Sequence, residues 1–387
     1  MGDILTKGSL LPESVVTDMF NMVRGHSSLA ALSAMKPIPF SGEKMFTFTL
    51  DKEADIVAEN GAKTKGGATV GAVNVVPIKF EYGTRVSDEF MYGTEEYKLD
   101  VLAQFSEGAS KKFARGLDLA AFHGVNPRTG AASAVVGNNH FDYAVSNVCA
   151  YNATFPDATI ESALALIEAV DAQANGIAMA PAMRSDIASM TASGGTRLYP
   201  EFAFGRNPGT LGDMKIDVNG TVNRNSSIDK AILGDFANAF KWGYSKEIPL
   251  EIIEYGNPDN DADLGDLKGH NQVYLRCEVY IGWAILAPAF FAIVRDVAPL
   301  TLASAAGSAS GKTAITVTET KGTNNIYKYY VGDTATAVSY GQDVSGGTTW
   351  DGSADITAAT GKILTLVEAT STGKALKVGT VTVTAHA

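Results

Sequence analysis

Hydrophobic and polar residues alternate near the front of the chain in a way that predicts an extended hairpin. In MFTFTL (45–50) every second residue is a bulky apolar one, which is typical of a β-strand. A stretch rich in Gly, Lys, Ala and Thr follows, and VNVVPIKFEYGTRV (73–86) is the predicted returning strand. Pro77 limits that strand to a sheet edge or a bulge. Because an isolated two-stranded ribbon is only marginally stable in water, we expect further contacts from outside it.

The longest helical pattern covers residues 94–122. Apolar residues recur there at spacings of three and four, which places them on one face of a helix. The stripe consists of Leu102, Phe105, Ala109, Phe113, Leu117 and Ala121. Thr94 is the expected N-cap, and Gly124 with Pro127 ends the helix. At about 1.5 Å per residue, the helix would be about 40 Å long and could span a whole domain.

Between residues 125 and 300 the chain mixes helix and strand patterns without a regular βαβ repeat. This mixture favours an α+β fold over a doubly wound sheet. Helices are predicted at 157–174 and 181–190, and 192–213 is predicted to be a long loop. Strands are predicted at 176–180, 231–236, 250–255, 273–286 and 290–294.

The composition changes near residue 300. TLASAAGSASGKT (301–313) is small and polar, as linkers are. Short strand patterns separated by turn residues follow, which predicts a small β-sandwich. The predicted strands are 314–320, 326–332, 334–340, 362–369 and 378–385. We place a domain boundary between 300 and 305.

Charge and cysteine content narrow the class of protein. The chain has 387 residues and a formal net charge of −11, which argues against a dedicated nucleic-acid binder because phosphate neutralisation needs excess Lys and Arg. Two cysteines are too few for a disulfide framework. The first residues show no basic segment followed by an apolar one, so we expect no secretory signal peptide and synthesis in a cytosol. The apolar run 280–294 contains Pro288 and is too short to span a bilayer.

Two segments resemble ligand-binding motifs and fail on detail. GSASGKT (307–313) resembles a phosphate loop, but its first glycine comes one place late and a strand follows it where a helix is needed. PDNDADLGD (258–266) resembles a calcium loop, but its turn glycine is one place late and His270 stands where a glutamate is needed. We interpret the first as a linker and the second as a solvated acidic loop.

No pattern of catalytic residues is recognisable. The five histidines are scattered without the spacing of a zinc site, and His123 at a helix end is expected to be structural. No nucleophile elbow is present, and no carboxylate pair stands out as acid and base. We therefore expect no enzymatic activity, no cofactor and no metal.

The order of elements resembles the major capsid proteins of tailed bacteriophages with the HK97-like fold. The segments that carry this resemblance are ADIVAENG (54–61), VSDEFM (86–91), ASKKFARGLDLAAFHGVNPRTG (109–130), GIAMAPAMRSDIASM (176–190) and WAILAPAFFAIV (283–294). In HGVNPRTG, Asn126 replaces a glycine that the family usually has. The similarity spans roughly residues 40–300, and the order of the segments is more specific than any one of them.

The resemblance implies an α+β chain with five parts. Residues 1–40 would be an N-terminal arm and 41–86 an extended hairpin. Residues 87–130 and 270–300 would form a peripheral domain with the spine helix, and 131–269 an axial domain. Residues 301–387 would be an appended C-terminal Ig-like β domain.

In this family the hairpin lies across a neighbouring subunit, and the resemblance therefore implies contacts between copies. The candidate contact residues are Ile56, Val57, Glu59, Lys63, Lys65, Val73, Val75 and Ile78. Some members join subunits by an isopeptide bond between a hairpin lysine and an asparagine, assisted by a glutamate. Lys63 and Lys65 lie where such a lysine would be, but no Asn or Glu can be matched. We expect these lysines to meet carboxylates or water.

The implied function is a virion capsid protein, made in the host cytoplasm, that self-assembles into an icosahedral shell around double-stranded DNA. Implied partners are further copies in pentamers and hexamers, a portal, a decoration protein and a separate scaffolding protein. A trimmed precursor is the alternative to a separate scaffold. Membranes and sequence-specific DNA binding are not expected. The alternative functions are an encapsulin-like bacterial nanocompartment shell and, with less support, an adhesin or glycan-binding β module.

Overall fold

The computed structural model describes residues 27–50, 52–223, 228–246 and 250–387. Most of the predicted N-terminal arm therefore lies outside the described residues. The described chain begins with a short helix, α1 (Ser28–Leu32), which is capped by Ser27. Residues 35–38 then run extended alongside a later strand, with backbone hydrogen bonds from Lys36 to Trp242 and from Ile38 to Tyr244.

The hairpin is a two-stranded antiparallel ribbon of β1 (Glu43–Leu50) and β2 (Ala68–Val75). The returning segment is not one strand, as the sequence suggested. Pro77 divides it, and β3 (Ile78–Ser87) pairs in a different sheet. Because proline donates no backbone hydrogen bond, the chain leaves one sheet and enters the next at this point.

A four-stranded antiparallel sheet and the long helix α2 (Glu95–His123) form the centre of the molecule. The helix begins and ends within one residue of the prediction. The central strand of the sheet, β11 (Gln272–Ile285), pairs with β3 along one edge. Strands β10 (Leu250–Ile253) and β9 (Phe240–Lys246) lie along the other edge. The apolar stripe of α2 from Phe105 onward shares one buried cluster with apolar side chains of β9 and β11, and Leu102 packs with Val273 and Leu275 of β11 in a second one. Burial of this face explains why the helix forms.

A six-stranded mixed sheet carries the second core. Its order is β4 (Val148–Ala150), β12 (Phe291–Arg295), β8 (Asp229–Gly234), β5 (Gly176–Met179), β7 (Met214–Val218) and β6 (Thr210–Leu211). Helices α4 (Pro156–Glu168) and α5 (Pro181–Ser189) pack on it, and the short helix α3 (Phe141–Ala144) precedes β4. Helix α4 ends six residues before the predicted position, because Asp171 adopts a left-handed conformation with φ of 55°.

The C-terminal part is all β, in a five-stranded and a three-stranded sheet. The first consists of β13 (Ala298–Pro299), β20 (Ala375–Thr382), β19 (Ile363–Ala369), β16 (Ile326–Gly332) and β17 (Thr348–Trp350). The second consists of β14 (Leu302–Ala306), β15 (Lys312–Val317) and β18 (Ile356–Thr357). The predicted linker thus contains β14, and the predicted strand 334–340 is not a strand. The domain boundary at 300–305 stays a prediction.

Candidate assembly surface

One face of the β1–β2 ribbon is apolar and exposed to solvent. Opposite residues of an antiparallel pair project to the same face, and Phe46, Phe48 and Leu50 lie opposite Ala72, Val70 and Ala68. The exposed fractions of Phe46, Phe48, Leu50 and Val70 are 70%, 67%, 67% and 61%. We call Phe46, Phe48, Leu50 and Val70 the ribbon face. Fully burying one such side chain contributes about 1.5–3 kcal/mol of free energy. Burial of the ribbon face against another molecule would therefore favour association.

The opposite face is anchored only at the base of the ribbon. Met45 and Val75 are buried there with Ile38 and Ala284, and Val73 packs against the same group. In the described chain, no strand other than β2 pairs with β1. The ribbon therefore depends on its own protomer at one end and presents the rest of its length to solvent.

Residues 52–67 extend the ribbon without regular secondary structure. Two side-chain hydrogen bonds cross this tip, from the Thr64 hydroxyl to the Asp55 carboxylate at 2.8 Å and from Lys52 Nζ to the Lys65 carbonyl at 3.4 Å. The side chain of Ile56 is 98% exposed and that of Val57 43% exposed. The tip therefore contributes further apolar surface in an extended backbone.

The predicted contact residues divide into two groups. Ile56, Val57, Glu59, Lys63 and Lys65 are all exposed on the tip. Val75 is fully buried in its own protomer, and Val73 and Ile78 are partly buried there. The side chain of Val75 already packs on Ile38 and Met45 of its own protomer, and its assignment as a contact between copies stays a prediction.

The residues of the ribbon face are not among the predicted contact residues. The alternation in MFTFTL was visible, but it does not state which face is covered by the same chain. Pro77 is the feature of the sequence that could have indicated this exposed face. Because the chain changes sheets at residue 77, β3 does not continue the ribbon, and no other sheet of the described chain covers the ribbon face.

The start of the described chain is fixed to the long helix by the carboxylate of Asp118, which is fully buried. It accepts hydrogen bonds from the Ser27 hydroxyl at 2.5 Å and from the backbone N–H of Ser28 at 2.9 Å. Thr221 donates a further one at 2.7 Å. Burial raises the pKa of Asp118 to about 6, although these hydrogen bonds oppose the rise. Asp118 therefore fixes Ser27 and the start of α1 to α2.

A buried ionic cluster joins α2 to β8 and β12. The carboxylates of Asp142 and Asp229 and a ring nitrogen of His123 lie within 4.8 Å of one another, a grouping that could hold a metal ion. Arg295 already occupies the cluster, because it donates to Asp229 at 2.6 Å and to Asp142 at 2.5 Å. Burial lowers the pKa of His123, but the hydrogen bond and charge of Asp142 outweigh it and the net shift is upward. With a guanidinium between the carboxylates, the cluster serves as a structural ion network.

The acidic loop at 258–266 is organised by a guanidinium. Arg85 donates to both oxygens of Asp259, to the side chain of Asn257 and to the carbonyl of Gly265. The hydrogen bond from Arg85 lowers the pKa of Asp259 to about 2. The guanidinium of Arg85 thus occupies the position in which a calcium loop would hold its cation. The loop is therefore held by hydrogen bonds to Arg85 and is not simply solvated.

A cavity of about 390 Å³ lies beside α4. Its lining includes the apolar residues Ile160, Leu164 and Phe202 and the acidic residues Asp157 and Glu161. The acidic groups of its lining have the same sign as the net charge of the chain. Among the described residues, no helix is both long enough and apolar enough to cross a membrane.

Comparison with known proteins identifies the fold. The phage capsid family matches residues 7–296. A solved structure from Mycobacterium phage Ogopogo is 32% identical, with a TM-score of 0.60, and the match covers 70% of this chain and 92% of that one. One from Gordonia phage Cozz is 26% identical, with a TM-score of 0.58, and the match covers 70% and 86%. No match was found among curated proteins.

A chain from the capsid of an empty GTA particle shares the fold alone, at 13% identity and a TM-score of 0.50, over 70% of this chain and 89% of that one. Together these matches confirm the capsid resemblance and the α+β class, and they do not favour a bacterial nanocompartment or an adhesin. The chain belongs to the phage capsid family and is a structural protein of a virion shell.

Proposed function

We propose that each copy completes the ribbon of a neighbouring copy during assembly. The ribbon face and the apolar tip residues Ile56 and Val57 would lie on the surface of a sister molecule. The observation that carries this proposal is that a ribbon of eight-residue strands exposes three consecutive large apolar side chains of β1 on one face. Large apolar patches on a protein surface mark sites of association.

The energy of assembly would come from many weak contacts. Each buried ribbon face adds a few apolar side chains, and a closed shell repeats the same contact in every copy. Glu59, Lys63 and Lys65 would form polar contacts at the rim of this interface, where exposed ion pairs contribute about 0–1 kcal/mol each. The contact therefore favours reversible association before the shell closes.

The shell would be icosahedral, built from pentamers and hexamers, and would enclose double-stranded DNA without specific binding. A net charge of −11 supports this role, because a strongly basic lining would hold the DNA and oppose its release. The protein would be made in the host cytoplasm and would turn over no substrate. A portal, a decoration protein and a scaffold are the expected partners.

The predicted division into arm, hairpin, peripheral, axial and C-terminal β domains is part of the same proposal. The C-terminal region from residue 301 onward would be displayed on the outside of the shell, where it could stabilise capsomers or contact host surfaces. It lies beyond residues 7–296, which the capsid family matches, and this supports its being an addition to the shell-forming part.

Electron microscopy of the purified chain, with and without a co-expressed scaffold, tests the proposal when paired with two matched variants. Val70→Asp places a charge in the ribbon face, and Val331→Asp places the same charge on an exposed position of β16, where Val331 is 39% exposed. We expect the wild type and Val331→Asp to form shells or rings, and Val70→Asp to remain unassembled. Normal shells from Val70→Asp would overturn the proposal.

A further inference from the structure

Three polar side chains converge on neighbouring strands of the C-terminal five-stranded sheet. Glu368 on β19 lies directly opposite Lys377 on β20, and Asn325 immediately precedes β16 on the other side of β19. One carboxylate oxygen of Glu368 accepts from Lys377 Nζ at 2.8 Å. The other accepts from Asn325 Nδ2 at 2.5 Å and from the backbone N–H of Gly322 at 2.8 Å. A single carboxylate thus holds a lysine amine beside an asparagine amide.

Burial distinguishes this group from the other ion pairs of the same region. The side chain of Glu368 is 0% exposed, and that of Lys377 is 28% exposed. The lysine–carboxylate pairs Lys362–Asp333 and Lys374–Asp343 are both open to solvent, with exposures of 42% and 87% in the first and 50% and 56% in the second. The carboxylates of the exposed pairs exchange protons with water. The carboxylate of Glu368 is shielded from water, so it can transfer protons between Lys377 and Asn325.

We propose that Lys377 and Asn325 become joined by an intramolecular isopeptide bond, with Glu368 as the proton-transfer group. This modification is independent of the proposed ribbon contact.

The reaction needs no oxidant, nucleotide or metal. Glu368 takes a proton from the Lys377 ammonium, and the resulting amine attacks Cγ of Asn325. A C–N bond forms between Cγ and Nζ, the bond from Cγ to Nδ2 breaks, and Nδ2 takes the proton from Glu368 and leaves as ammonia. Nζ then carries one proton more than an amide nitrogen does, and this second proton passes through the freed Glu368 carboxylate to the ammonia, which departs as ammonium. Burial opposes ionisation of Glu368, but the hydrogen bonds from Lys377 and Asn325 outweigh it and lower the pKa of Glu368. The carboxylate is therefore in the form that accepts the first proton.

The bond would tie the loop before β16 to the last strand of the chain. It would close a covalent loop that contains β16, β17, β18 and β19, which limits the conformations of the unfolded region. A domain on the outside of a virion would gain resistance to unfolding from such a tie, since it could not open strand by strand.

Intact-mass measurement of the purified full chain tests the proposal. Loss of one ammonia lowers the mass by about 17 Da relative to the sequence, after correction for N-terminal processing. Trypsin should then yield GTNNIYK (322–328) joined to ALKVGTVTVTAHA (375–387), with Lys377 uncleaved. Fragment ions that place the branch between Asn325 and Lys377 would support the proposal. A full-length mass equal to the sequence mass would overturn it.

Matched variants separate this bond from other ways of losing ammonia. Lys377→Arg keeps the positive charge and removes the nucleophile, so the mass deficit should disappear, whereas Lys374→Arg should retain it. Glu368→Gln should abolish the deficit or slow its appearance. A deficit located at Asn60, Asn175 or Asn219, each of which precedes a glycine, would show cyclisation of that asparagine and overturn the proposal.

Discussion

The side chain of Asp118 accepts a hydrogen bond from the backbone N–H of Ser28 at 2.9 Å, which joins the middle of the structured core to the point where the described chain begins. Asp118 lies on the long helix α2 and is fully buried. The position of α1 on the core is therefore set by a carboxylate of α2.

Asp118 makes stability depend on pH in an unusual direction. Its pKa is raised to about 6, so the folded protein binds this proton more tightly than the unfolded chain does. The free energy of unfolding should therefore fall as pH rises from about 4 to about 6. Relative to Asp118→Asn, which cannot titrate, the wild type should lose up to about 3 kcal/mol over this window. Denaturant unfolding of the unassembled protein at several pH values measures it, and a flat or rising difference would contradict the prediction.

Removal of Arg295 should destabilise the protein strongly. Arg295→Ala leaves Asp142 and Asp229 without the guanidinium that pairs with both. Breaking a buried ion pair by deleting one partner costs about 3–5 kcal/mol. Arg115→Ala is the control, because Arg115 is exposed on α2 and such changes usually stay within about 0.5 kcal/mol. Equal melting temperatures for the two variants would show that the cluster has no structural role.

Two glycine-to-alanine changes should have opposite effects. At Gly108, an exposed position within α2, a methyl group meets nothing within 4 Å, so alanine should stabilise the helix by about 0.5–1 kcal/mol. At Gly243 on β9 the same methyl group would lie 1.6 Å from the Lys36 carbonyl oxygen. Gly243→Ala should therefore displace residues 35–38 from β9 and lower the melting temperature. Hydrogen exchange at Lys36 and Ile38 reports this displacement, and unchanged protection would refute it.

Substitution of a core phenylalanine should affect folding, and substitution of a ribbon phenylalanine should affect assembly. The ring of Phe141 lies 5.0–6.1 Å from those of four other phenylalanines and is fully buried. Phe141→Ala should cost about 3–5 kcal/mol of unfolding free energy. Phe48→Ala should leave the unassembled protein within about 0.5 kcal/mol of wild type, because Phe48 is already exposed. Its effect should appear as a higher protein concentration required for assembly, which light scattering measures.

Much of the central fold could be predicted from periodicity. The amphipathic pattern predicted α2 to within one residue, because burial of one face dictates the sequence there. Apolar runs located β11 and β12, most of whose residues are buried. The end of α4 could not be predicted, because it depends on the left-handed conformation of Asp171. The sequence around Asp171 still has the pattern of a helix. The predicted strand at 334–340 failed for a related reason, because alternating Thr and Ala are also compatible with an irregular segment.

The assembly surface was only partly predictable. The sequence predicted that the ribbon needs contacts from outside it. Which of its faces is covered by the same chain depends on contacts between residues far apart, such as Val75 with Ala284. The contact between Arg85 and Asp259 was equally invisible, because 174 residues separate them. Local patterns identify elements, whereas pairs of distant residues decide which surfaces stay open.

A cryo-electron microscopy map of the assembled particle tests most directly whether the ribbon of one copy packs on a neighbouring copy. We predict that the side chains of Phe46, Phe48 and Val70 lie within van der Waals contact of a neighbouring copy in every capsomer. A map in which the shell is closed while these side chains still face solvent, or are covered by their own protomer, would contradict this prediction.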